Sequence, residues 1–553
     1  MRVLGINAIF HDPAAALVVD GRTVAAAEEE RFTRRKHGKR PVPFSAWELP
    51  EESAAWCLRS AGVRPADLDA VAYSFDPGLC LPAEDVGIQD PWDWLRVRYA
   101  EQAPEFLATA LPGLDPNKVV FVPHHVAHAA SAALAAPPEA DQGDCAVLVL
   151  DGRGERASHL AGRYDQGKLT QLATQRLPHS LGLWYEDVTS HLGFLRSSDE
   201  YKVMALASYG TPRHLDLFRE RVRMTEDGGF IVDPVDWEAL APGRTHEENA
   251  REQAWGEAHA DLAASVQVRL EEMLLELARW LHDAAGGPHG LAMAGGVALN
   301  CVANARLARE GPFASVWVQP AAGDAGTALG AALHVSSLVD GLPDPMPGPD
   351  LGRGYSDDDL EAVLRSAHVP YTVPGDIAAE AAQVLADDGV VAWYQGRSEY
   401  GPRALGFRSL LAHPGHARNT ERMNEVKGRE SFRPIAPMVL ASRAPEIFDG
   451  VHPSPYMLFV HQVRPQWREK LPAVVHVDGT ARVQTVDKRD RPLMARVLTE
   501  FERRTGLPVL VNTSLNTAGR PMVDTPRDAL ELFGSSPVDL LVMGPFAVHR
   551  RDL

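Results

Sequence analysis

The 553-residue sequence predicts an α/β protein in two halves, of which the first is built from a duplicated unit. Three observations predict this organisation. A strand, a loop and a hairpin occur in the same order near residue 3 and near residue 145, a proline-rich stretch follows near residue 340, and a second α/β pattern comes after it. The length also suits two or three domains of about 150–200 residues each.

The two copies of the repeated unit have matching elements. In the first copy, a strand is expected at 3–7, a loop at 8–13 and a hairpin around Asp20-Gly21, a dipeptide typical of tight hairpin turns. The second copy has a strand at 145–150, a loop at 151–155 and a hairpin around 165–167. Helical sequence follows each copy, so we predict an internal duplication.

A linker and a separate second half complete the expected order. Four prolines between residues 343 and 349 deny regular structure to this stretch. We therefore divide the chain into a domain at 1–340, a linker at 341–356 and a domain at 357–553. Within the second domain, helices are expected near 357–367 and 377–387, and strands near 390–394 and 508–511.

Composition narrows the classes of function. The chain has 55 Lys and Arg against 74 Asp and Glu, a net charge of -19 that disfavours a broad nucleic-acid or membrane-binding face. Its four cysteines lack CxxC spacing, which argues against a disulfide framework or a zinc finger. The chain runs directly into a strand, and its apolar runs fall short of the ~18 residues that span a bilayer. We expect a cytoplasmic protein without signal peptide or anchor.

Two histidines four residues apart, His124 and His128, begin an alanine-rich stretch after an apolar run. On a helix they share one face, with Cβ atoms about 5–6 Å apart, which suits one metal ion. Histidines also cap helices or pack in cores, and the Glu of the HExxH pattern is absent. Asp151 and Asp324 follow strand-like runs as well, so we predict a two-His, two-Asp site, although Asp324 could simply cap a helix. Such ligands suit Fe(II), Mn(II) or Zn(II).

Glycines follow two of the expected strands. Gly295 and Gly296 come between a strand at 290–294 and a helix, where backbone amides can approach phosphate or ribose closely. A tight packing turn explains the same glycines. Gly152 occupies the loop after Asp151, and we assign it to the same candidate cofactor site.

The second half concentrates positive charge in loops, through Arg403, Lys427, Arg433 and Arg482 among others. Guanidinium groups match phosphate and carboxylate oxygens, so several of them would hold a multiply charged anion. Each could instead form a surface ion pair worth ~0–1 kcal/mol. The polar run 512–516, which includes Ser514 and Asn516, is expected to follow a strand ending at Val511, a common place for ligand-binding side chains. An Asx-type turn is the alternative.

The duplicated first half is similar to the actin, sugar-kinase and Hsp70 superfamily, in which loops at strand ends face a nucleotide. The whole chain also resembles the O-carbamoyltransferases of natural-product biosynthesis, the group of tobramycin, cephem and nodulation-factor carbamoyltransferases. The motifs that carry this second resemblance are His11-Asp12, 28–33, His124 with His128, 295–300, Gly323-Asp324, 401–406, Arg433-Pro434 and 512–516.

This resemblance implies two modules. The N-terminal one would be actin-like, similar to the tRNA threonylcarbamoyl transferase fold, and the C-terminal one would be a YrdC-like α/β domain, similar to threonylcarbamoyl-AMP synthase. The C-terminal module of such enzymes makes carbamoyl adenylate from carbamoyl phosphate and ATP, and the N-terminal module passes the carbamoyl group to a hydroxyl of a small secondary metabolite such as an antibiotic.

The resemblance also implies residue roles. His11 would be the general base and Lys36 would stabilise the carbamoyl oxygen or a phosphate. His124, His128, Asp151 and Asp324 would hold a divalent metal, Fe(II) in well-studied relatives. Gly295, Gly296 and Asn300 would contact the adenosine. Carbamoyl phosphate and the ATP phosphates would be bound by Arg403, Lys427, Arg433, Arg482, Ser514 and Asn516.

Other functions stay open at this point. A tRNA threonylcarbamoylation-type transferase would share both folds, but it needs a polyanion-binding face that the -19 charge disfavours. Hydrogenase-maturation carbamoyltransferases carry cysteine-rich zinc modules that this sequence lacks. A sugar kinase would leave the second half unexplained, and an inactive metal or nucleotide sensor would leave the His11, Lys36 and arginine set unexplained. A homodimer is left open, and no nucleic-acid or membrane partner is expected.

Overall fold

The computed structural model of this chain describes residues 1–38, 49–87, 90, 92–250, 255–517 and 519–552. Its contacts divide the chain into two compact units, Met1–Gly348 and Pro349–Leu553. Both units mix helices with sheets, as the α/β prediction requires. The irregular stretch 341–356 contains the point of division.

The first unit contains two five-stranded sheets and a small two-stranded one. The first sheet comprises β1 (Arg2–Asn7), β2 (Ala14–Val19), β3 (Arg22–Glu28), β4 (Ala70–Tyr73) and β5 (Val119–Phe121). The second comprises β6 (Ala146–Leu150), β7 (Ala157–Asp165), β8 (Lys168–Arg176), β11 (Gly290–Ala294) and β12 (Ser315–Val318), and the small sheet pairs β9 (Val222–Met224) with β10 (Phe230–Val232).

The two large sheets have the same strand order. The first runs β3-β2-β1-β4-β5 and the second, read from its other edge, runs β8-β7-β6-β11-β12. In each sheet the first three strands form antiparallel hairpins, and the fourth and fifth continue in parallel from the first. The predicted duplication is therefore confirmed, and the fold of this unit is of the actin, Hsp70 and sugar-kinase kind.

Twelve α-helices of the described residues complete the first unit. They are α1 (Glu30–Thr33), α2 (Glu51–Ser60), α3 (Asp93–Glu101), α4 (Ala103–Ala110), α5 (His124–Ala133), α6 (Leu181–His191), α7 (Glu200–Ala207), α8 (Leu215–Arg221), α9 (His246–Ala250), α10 (Glu257–Ala284), α11 (Cys301–Glu310) and α12 (Ala325–Asp340). Helix α12 packs on β1 and β2 and against α5, and α5 packs on β6 and β11. The alanines and glycines of α5 and α12 permit this close approach because they lack bulky side chains.

Gly330 marks the tightest point of the α5–α12 contact. A Cβ atom at this position would lie 1.8 Å from the carbonyl oxygen of Ala127, which is backbone and cannot rotate away. We expect Gly330→Ala to lower the free energy of unfolding by about 3 kcal/mol through overpacking. The control is Gly534→Ala at an exposed position of the helix Pro526–Ser535, where a Cβ atom would meet no described atom within 4 Å. This variant should be neutral or stabilising by about 0.5–1 kcal/mol. Denaturant titration measures both, and equal stability of the two variants would contradict the packing argument.

The second unit is built on a seven-stranded mixed sheet of order β19-β15-β20-β14-β13-β21-β22 and a three-stranded sheet of order β16-β17-β18. Their strands are β13 (Val391–Tyr394), β14 (Arg408–Ala412), β15 (Ala436–Leu440), β16 (Phe448–Asp449), β17 (Val460–Val463), β18 (Thr480–Arg482), β19 (Gln484–Val486), β20 (Val509–Ser514), β21 (Leu540–Met543) and β22 (Phe546–His549). The helices are α13 (Asp357–Ser366), α14 (Ile377–Ala386), α15 (Arg418–Lys427), α16 (Ala444–Ile447), α17 (Pro465–Arg468), α18 (Pro492–Thr505) and α19 (Pro526–Ser535).

Three expectations about elements of the second unit are wrong. Lys427 and Arg482, expected in loops, are the last residues of α15 and β18, because the helix and the strand each extend farther than the sequence pattern indicated. The strand expected to end at Val511 extends to Ser514, because the antiparallel pairing with β14 continues until Ser514 lies opposite Ser409. The polar side chains of 512–514 are thus held by strand pairing and are not in a loop. Among the described residues, none of the helices combines the length and the apolar character that crossing a membrane requires.

Candidate functional site

Four side chains of the first unit meet at the ends of its central elements. His124 and His128 occupy the first and fifth positions of α5, one turn apart, as their spacing predicts. Asp151 directly follows β6, and Asp324 precedes the first residue of α12. All four side chains are buried. The helices and the strand that carry them pack together in one unit, so these positions are fixed by the core.

The potential ligand atoms of the four side chains lie close together. The Nε2 atom of His124 lies 3.5 Å from Oδ2 of Asp151 and 3.6 Å from Oδ1 of Asp324. The Nε2 atom of His128 lies 4.0 Å and 3.5 Å from the same two oxygens. One atom from each residue falls within 4.8 Å of all the others. Two imidazoles and two carboxylates at this separation surround a volume suited to one divalent cation.

Unpaired atoms support a metal at this position. Within the described part of the chain, three buried atoms have no hydrogen-bond partner: Nε2 of His124, Nε2 of His128 and Oδ1 of Asp324. Burying such atoms costs free energy, because they lose their hydrogen bonds to water. Coordination of a metal ion would offset this cost. The Nδ1–H of His124 donates to the carbonyl oxygen of Ser74 at 3.2 Å, which leaves the lone pair of Nε2 facing the cluster. The residues present therefore fit a bound metal.

Backbone and carboxylate contacts hold the cluster in place. Oδ1 of Asp151 accepts the backbone N–H of Gly296 at 2.8 Å, so Oδ2 alone faces the histidines. Glu155 accepts the backbone N–H of His124 at 2.8 Å and thereby secures the start of α5. Burial and the charge of Asp324 raise the pKa of Asp151, but His124 and His128 bring it down to about 2. Asp151 is consequently ionised at neutral pH.

His11 lies beside this cluster. Its Nε2 atom is 3.7 Å from Oδ2 of Asp324, and its Nδ1 atom is 2.9 Å from Oδ2 of Asp12. The loop that carries it is unusual, because Phe10 and Asp12 have φ angles of 56° and 51°. Non-glycine residues adopt such angles rarely and at some cost. The side-chain amide of Asn7 donates to the carbonyl oxygens of His11 and Asp12, which holds the loop in this conformation.

Lys36 begins a short 3₁₀ turn, Lys36–Gly38, and is partly buried. Its neighbour His37 places Nδ1 2.7 Å from Oδ1 of Asp12. The turn therefore lies against the loop that carries His11. The carbamoyl- or phosphate-binding role of Lys36 stays a prediction.

The predicted glycines occupy the loops around Asp151. Gly295 has a φ of 93°, and a Cβ on it would lie 2.2 Å from the carbonyl oxygen of Leu150. Only glycine fits this turn, so close packing accounts for it without a nucleotide. Asn300 lies farther along the chain and caps α11 through the backbone N–H of Ala303. Its side chain also exchanges hydrogen bonds with Gln267, at 2.9 and 3.1 Å.

Two half-buried carboxylates, Glu186 and Glu200, lie near the loop of Gly152. A Cβ on Gly152 would lie 3.4 Å from Oε1 of Glu186, and Ser197 donates its hydroxyl to the same oxygen. The backbone N–H of Ser197 donates to Glu200 at 2.8 Å. Burial, followed by the charge of Glu186, raises the pKa of Glu200 to about 7. Sequence reasoning missed both residues, because a single Glu on a helix is indistinguishable from a solvated one.

In the second unit, Lys427 joins two of the predicted residues. Its Nζ donates to the hydroxyl oxygen of Ser514 at 2.9 Å and to Oδ1 of Asn516 at 2.5 Å. The backbone carbonyl of Ser514 also accepts from it at 2.6 Å. Lys427 is 5% exposed, so this ammonium group is a fixed, buried charge at the end of β20.

Strand pairing groups the arginine-bearing segments around the same end of the sheet. Asn512 donates to the carbonyl oxygen of Ala404, beside Arg403, and to Gln484, which lies two residues after Arg482. Asn424 of α15 donates to the carbonyl oxygen of Arg433. The segments of Arg403, Arg433 and Arg482 are thus tied to the elements that carry Lys427 and Ser514. Sequence reasoning missed the clamping roles of Asn424 and Gln484, which depend on contacts between distant segments.

Arg408 belongs to the same basic run in the sequence but has a structural role. Its guanidinium lies 3.7 Å from the ring centroid of Tyr394 and donates to the backbone carbonyls of Gln395 and Gly396. The side chain is fully buried. Glu399 accepts the backbone N–H groups of Leu405, Phe407 and Arg408, which shapes the loop that carries Arg403.

Both units match models of one protein family. The model described as carbamoyltransferase N-terminus matches residues 2–80 and 108–333, and the one described as carbamoyltransferase C-terminus matches residues 382–550. Nodulation protein NolNO of Sinorhizobium fredii (strain NBRC 101917 / NGR234) is 38% identical over 99% of this chain and 80% of its own length. Nodulation protein U of the same strain is 34% identical over 96% of both chains.

Among solved structures, component A of (R)-2-hydroxyglutaryl-CoA dehydratase from Acidaminococcus fermentans is 15% identical and covers 61% of this chain and 98% of its own, with a TM-score of 0.34. A TM-score this low supports no inference, and the fold assignment rests on the strand order. The family models and the near full-length relatives carry the identification: the chain belongs to the carbamoyltransferase family.

Proposed function

We propose that this protein is an ATP-dependent O-carbamoyltransferase that makes carbamoyl adenylate and transfers its carbamoyl group to a hydroxyl of a small metabolite. The observation that carries the proposal is the buried cluster of His124, His128, Asp151 and Asp324 beside His11. It lies in a chain whose two halves match the two parts of a carbamoyltransferase, a family that acts on a carbamoyl donor and an acceptor.

The second unit is the proposed site of activation. Water converts carbamoyl phosphate into carbamate and phosphate, and a carbamate oxygen then attacks the α-phosphorus of ATP, so that carbamoyl adenylate and pyrophosphate are formed. Both steps shift negative charge between phosphate oxygens. Arg403 and Arg433, in loops, and Arg482, at the end of β18, would neutralise that charge. Lys427 would add a fixed positive charge and position Ser514 and Asn516.

The first unit is the proposed site of transfer. The acceptor oxygen attacks the carbamoyl carbon, its proton passes to Nε2 of His11, and the bond from the carbamoyl carbon to the phosphate oxygen breaks to release AMP. The products are a carbamate ester and AMP, and the proton on His11 returns to solvent. His124, His128, Asp151 and Asp324 would hold a divalent metal, which would supply Lewis acidity toward the adenylate phosphate. Backbone amides near Gly152 and Gly296 would approach the same nucleotide.

The proposed substrates set the expected partners. The acceptor is a small hydroxyl compound of secondary metabolism, such as an antibiotic precursor, and Fe(II) is the metal that we propose. We place the enzyme in the cytoplasm, where ATP and carbamoyl phosphate are available, and we expect it to act without nucleic acid or membrane. A homodimer is compatible with this scheme.

The proposed activation step is tested by pyrophosphate release. We expect the purified full chain to release pyrophosphate only when ATP and carbamoyl phosphate are both present. Arg433→Ala should reduce this rate by about 100-fold, the usual cost of one group that stabilises developing charge. The control is Arg503→Ala, whose side chain is exposed and pairs with Glu500 on α18, and which should retain the full rate. Pyrophosphate release from ATP alone, or an unchanged rate of release in Arg433→Ala, would contradict the proposed adenylation step.

A further inference from the structure

The carboxylate of Asp12 lies between two imidazoles. Its Oδ2 atom is 2.9 Å from Nδ1 of His11, and its Oδ1 atom is 2.7 Å from Nδ1 of His37. On the far side, Nε2 of His37 lies 3.0 Å from the hydroxyl oxygen of Ser198. A continuous line of polar groups therefore runs from Asp324, one of the candidate metal ligands, through His11, Asp12 and His37 to Ser198.

This arrangement determines where the hydrogen of the His11 ring lies. An ionised carboxylate only accepts hydrogen bonds, so the ring nitrogen that faces it carries the hydrogen. Nδ1 of His11, 2.9 Å from Asp12, is consequently the N–H. Nε2 keeps its lone pair, because its distance of 3.7 Å from Oδ2 of Asp324 is too long for a hydrogen bond. Burial favours protonation of Asp12, but His37 and His11 hold the pKa of its carboxyl well below the usual range. The carboxylate therefore stays an acceptor.

The backbone on both sides of the Asp12–His37 hydrogen bond adopts unusual conformations. Phe10 and Asp12 both adopt left-handed φ angles, and the amide of Asn7 secures the carbonyls of His11 and Asp12 at 3.0 and 2.9 Å. His37 also has a left-handed φ of 61°, and its backbone N–H donates to Glu30 at 2.8 Å. Strained positions of this kind persist where the neighbouring contacts fix them, and they cluster at functional sites.

We propose that Asp12 is the positioning residue of the transfer site: it holds the His11 ring with Nε2 toward the reacting acceptor, and His37 secures the second oxygen of Asp12. The inference rests on the proposed function, because it assigns His11 the acceptor proton. In that step the acceptor O–H bond breaks and a bond from Nε2 of His11 to hydrogen forms. Asp12 keeps its charge throughout and stabilises the resulting imidazolium, as the aspartate of a hydrolase triad does.

The test is Asp12→Asn in the full-length protein, assayed for both half-reactions. Asparagine keeps the shape of the side chain but offers an N–H₂ group to one of the two histidines, which favours the wrong tautomer of His11. We expect kcat for carbamoyl transfer to fall by about 10³–10⁴-fold, with the KM for the acceptor and the rate of pyrophosphate release changed by less than about threefold. His37→Gln should cost about 10–100-fold in transfer, because it only loosens Asp12.

Matched measurements make the inference falsifiable. Asp165→Asn, in the exposed turn of the second hairpin, should leave both half-reactions unchanged. Equal loss of transfer and pyrophosphate release in Asp12→Asn, or wild-type transfer in that variant, would overturn the positioning role. Asp12 and His37 also lie within 4.8 Å of a carboxylate oxygen of Glu30, so a second metal equivalent that disappears in His37→Gln would overturn it as well.

The proposed function and this inference fail in different ways. If the wild-type protein releases no pyrophosphate with ATP and carbamoyl phosphate, the proposed function is wrong whatever Asp12→Asn does. If the wild-type protein completes both half-reactions and Asp12→Asn still transfers at the full rate, only the positioning role is wrong.

Discussion

Replacing His128 by alanine should abolish tight metal binding and lower carbamoyl transfer by at least about 1000-fold, while pyrophosphate release stays within about threefold of the wild-type rate. His128 would supply one of four ligand atoms, and among the described residues its Nε2 has no hydrogen-bond partner. Without it, the two carboxylates and His124 hold the ion in an open site. Metal content per chain, measured on the purified protein, gives a readout that does not depend on activity.

His125 provides the matched control for that experiment. It lies on the same helix, is buried, and has its ring centroid 6.4 Å from that of His128, yet it does not belong to the metal cluster. Burial lowers the pKa of His125 to about 3, so its ring is neutral. We expect His125→Gln to keep the full metal content. If both variants lose metal equally, or if His128→Ala loses both half-reactions to the same extent, the division of labour between the units is wrong.

Replacing Lys427 by methionine should lower the rate of pyrophosphate release by about 100-fold. The change removes a buried positive charge and the hydrogen bonds that it donates to Ser514 and Asn516. Acceptors deprived of a charged donor cost stability too, and we expect the unfolding free energy to fall by about 2–3 kcal/mol. Steady-state kinetics with carbamoyl phosphate as the varied substrate, together with denaturant titration, separates the two effects.

Lys488→Met is the control for the charge itself. Lys488 is exposed in the same unit, so its replacement changes the net charge equally without touching the cluster. The control should match the wild-type protein in both rate and stability. If Lys427→Met is destabilised but retains full activity at saturating substrate, Lys427 has a structural role alone and does not contribute to anion binding.

The spacing of residues close in sequence made the candidate metal site predictable. The separation of four residues places His124 and His128 on one face of α5 whatever the tertiary structure, and a strand before each of Asp151 and Asp324 places both at an edge of a sheet. The duplication was visible for a similar reason, since hairpin turns leave short sequence signals. These features depend on contacts close in sequence.

Contacts between distant segments were not predictable. His37 meets Asp12 across 25 positions, and Asn512 reaches Ala404 across 108. Arg408 lies five residues after Arg403 in the sequence, yet it stacks on Tyr394 because β13 pairs with β14. The extension of β20 to Ser514 likewise depends on its partner strand. The residue type shows that a side chain such as arginine could bind an anion. Its burial and its contacts in the fold decide whether it is available to do so.

The matching strand orders of the two sheets indicate how the four candidate metal ligands came together. Helix α5 follows the fifth strand of the first copy, and α12 follows the fifth strand of the second, so His124 and Asp324 stand at equivalent places in the repeat. The first copy contributes the two imidazoles and the second contributes the two carboxylates. A symmetric ancestor would have placed identical groups there. The present site thus records divergence after duplication, and neither copy alone contains a complete set of ligands.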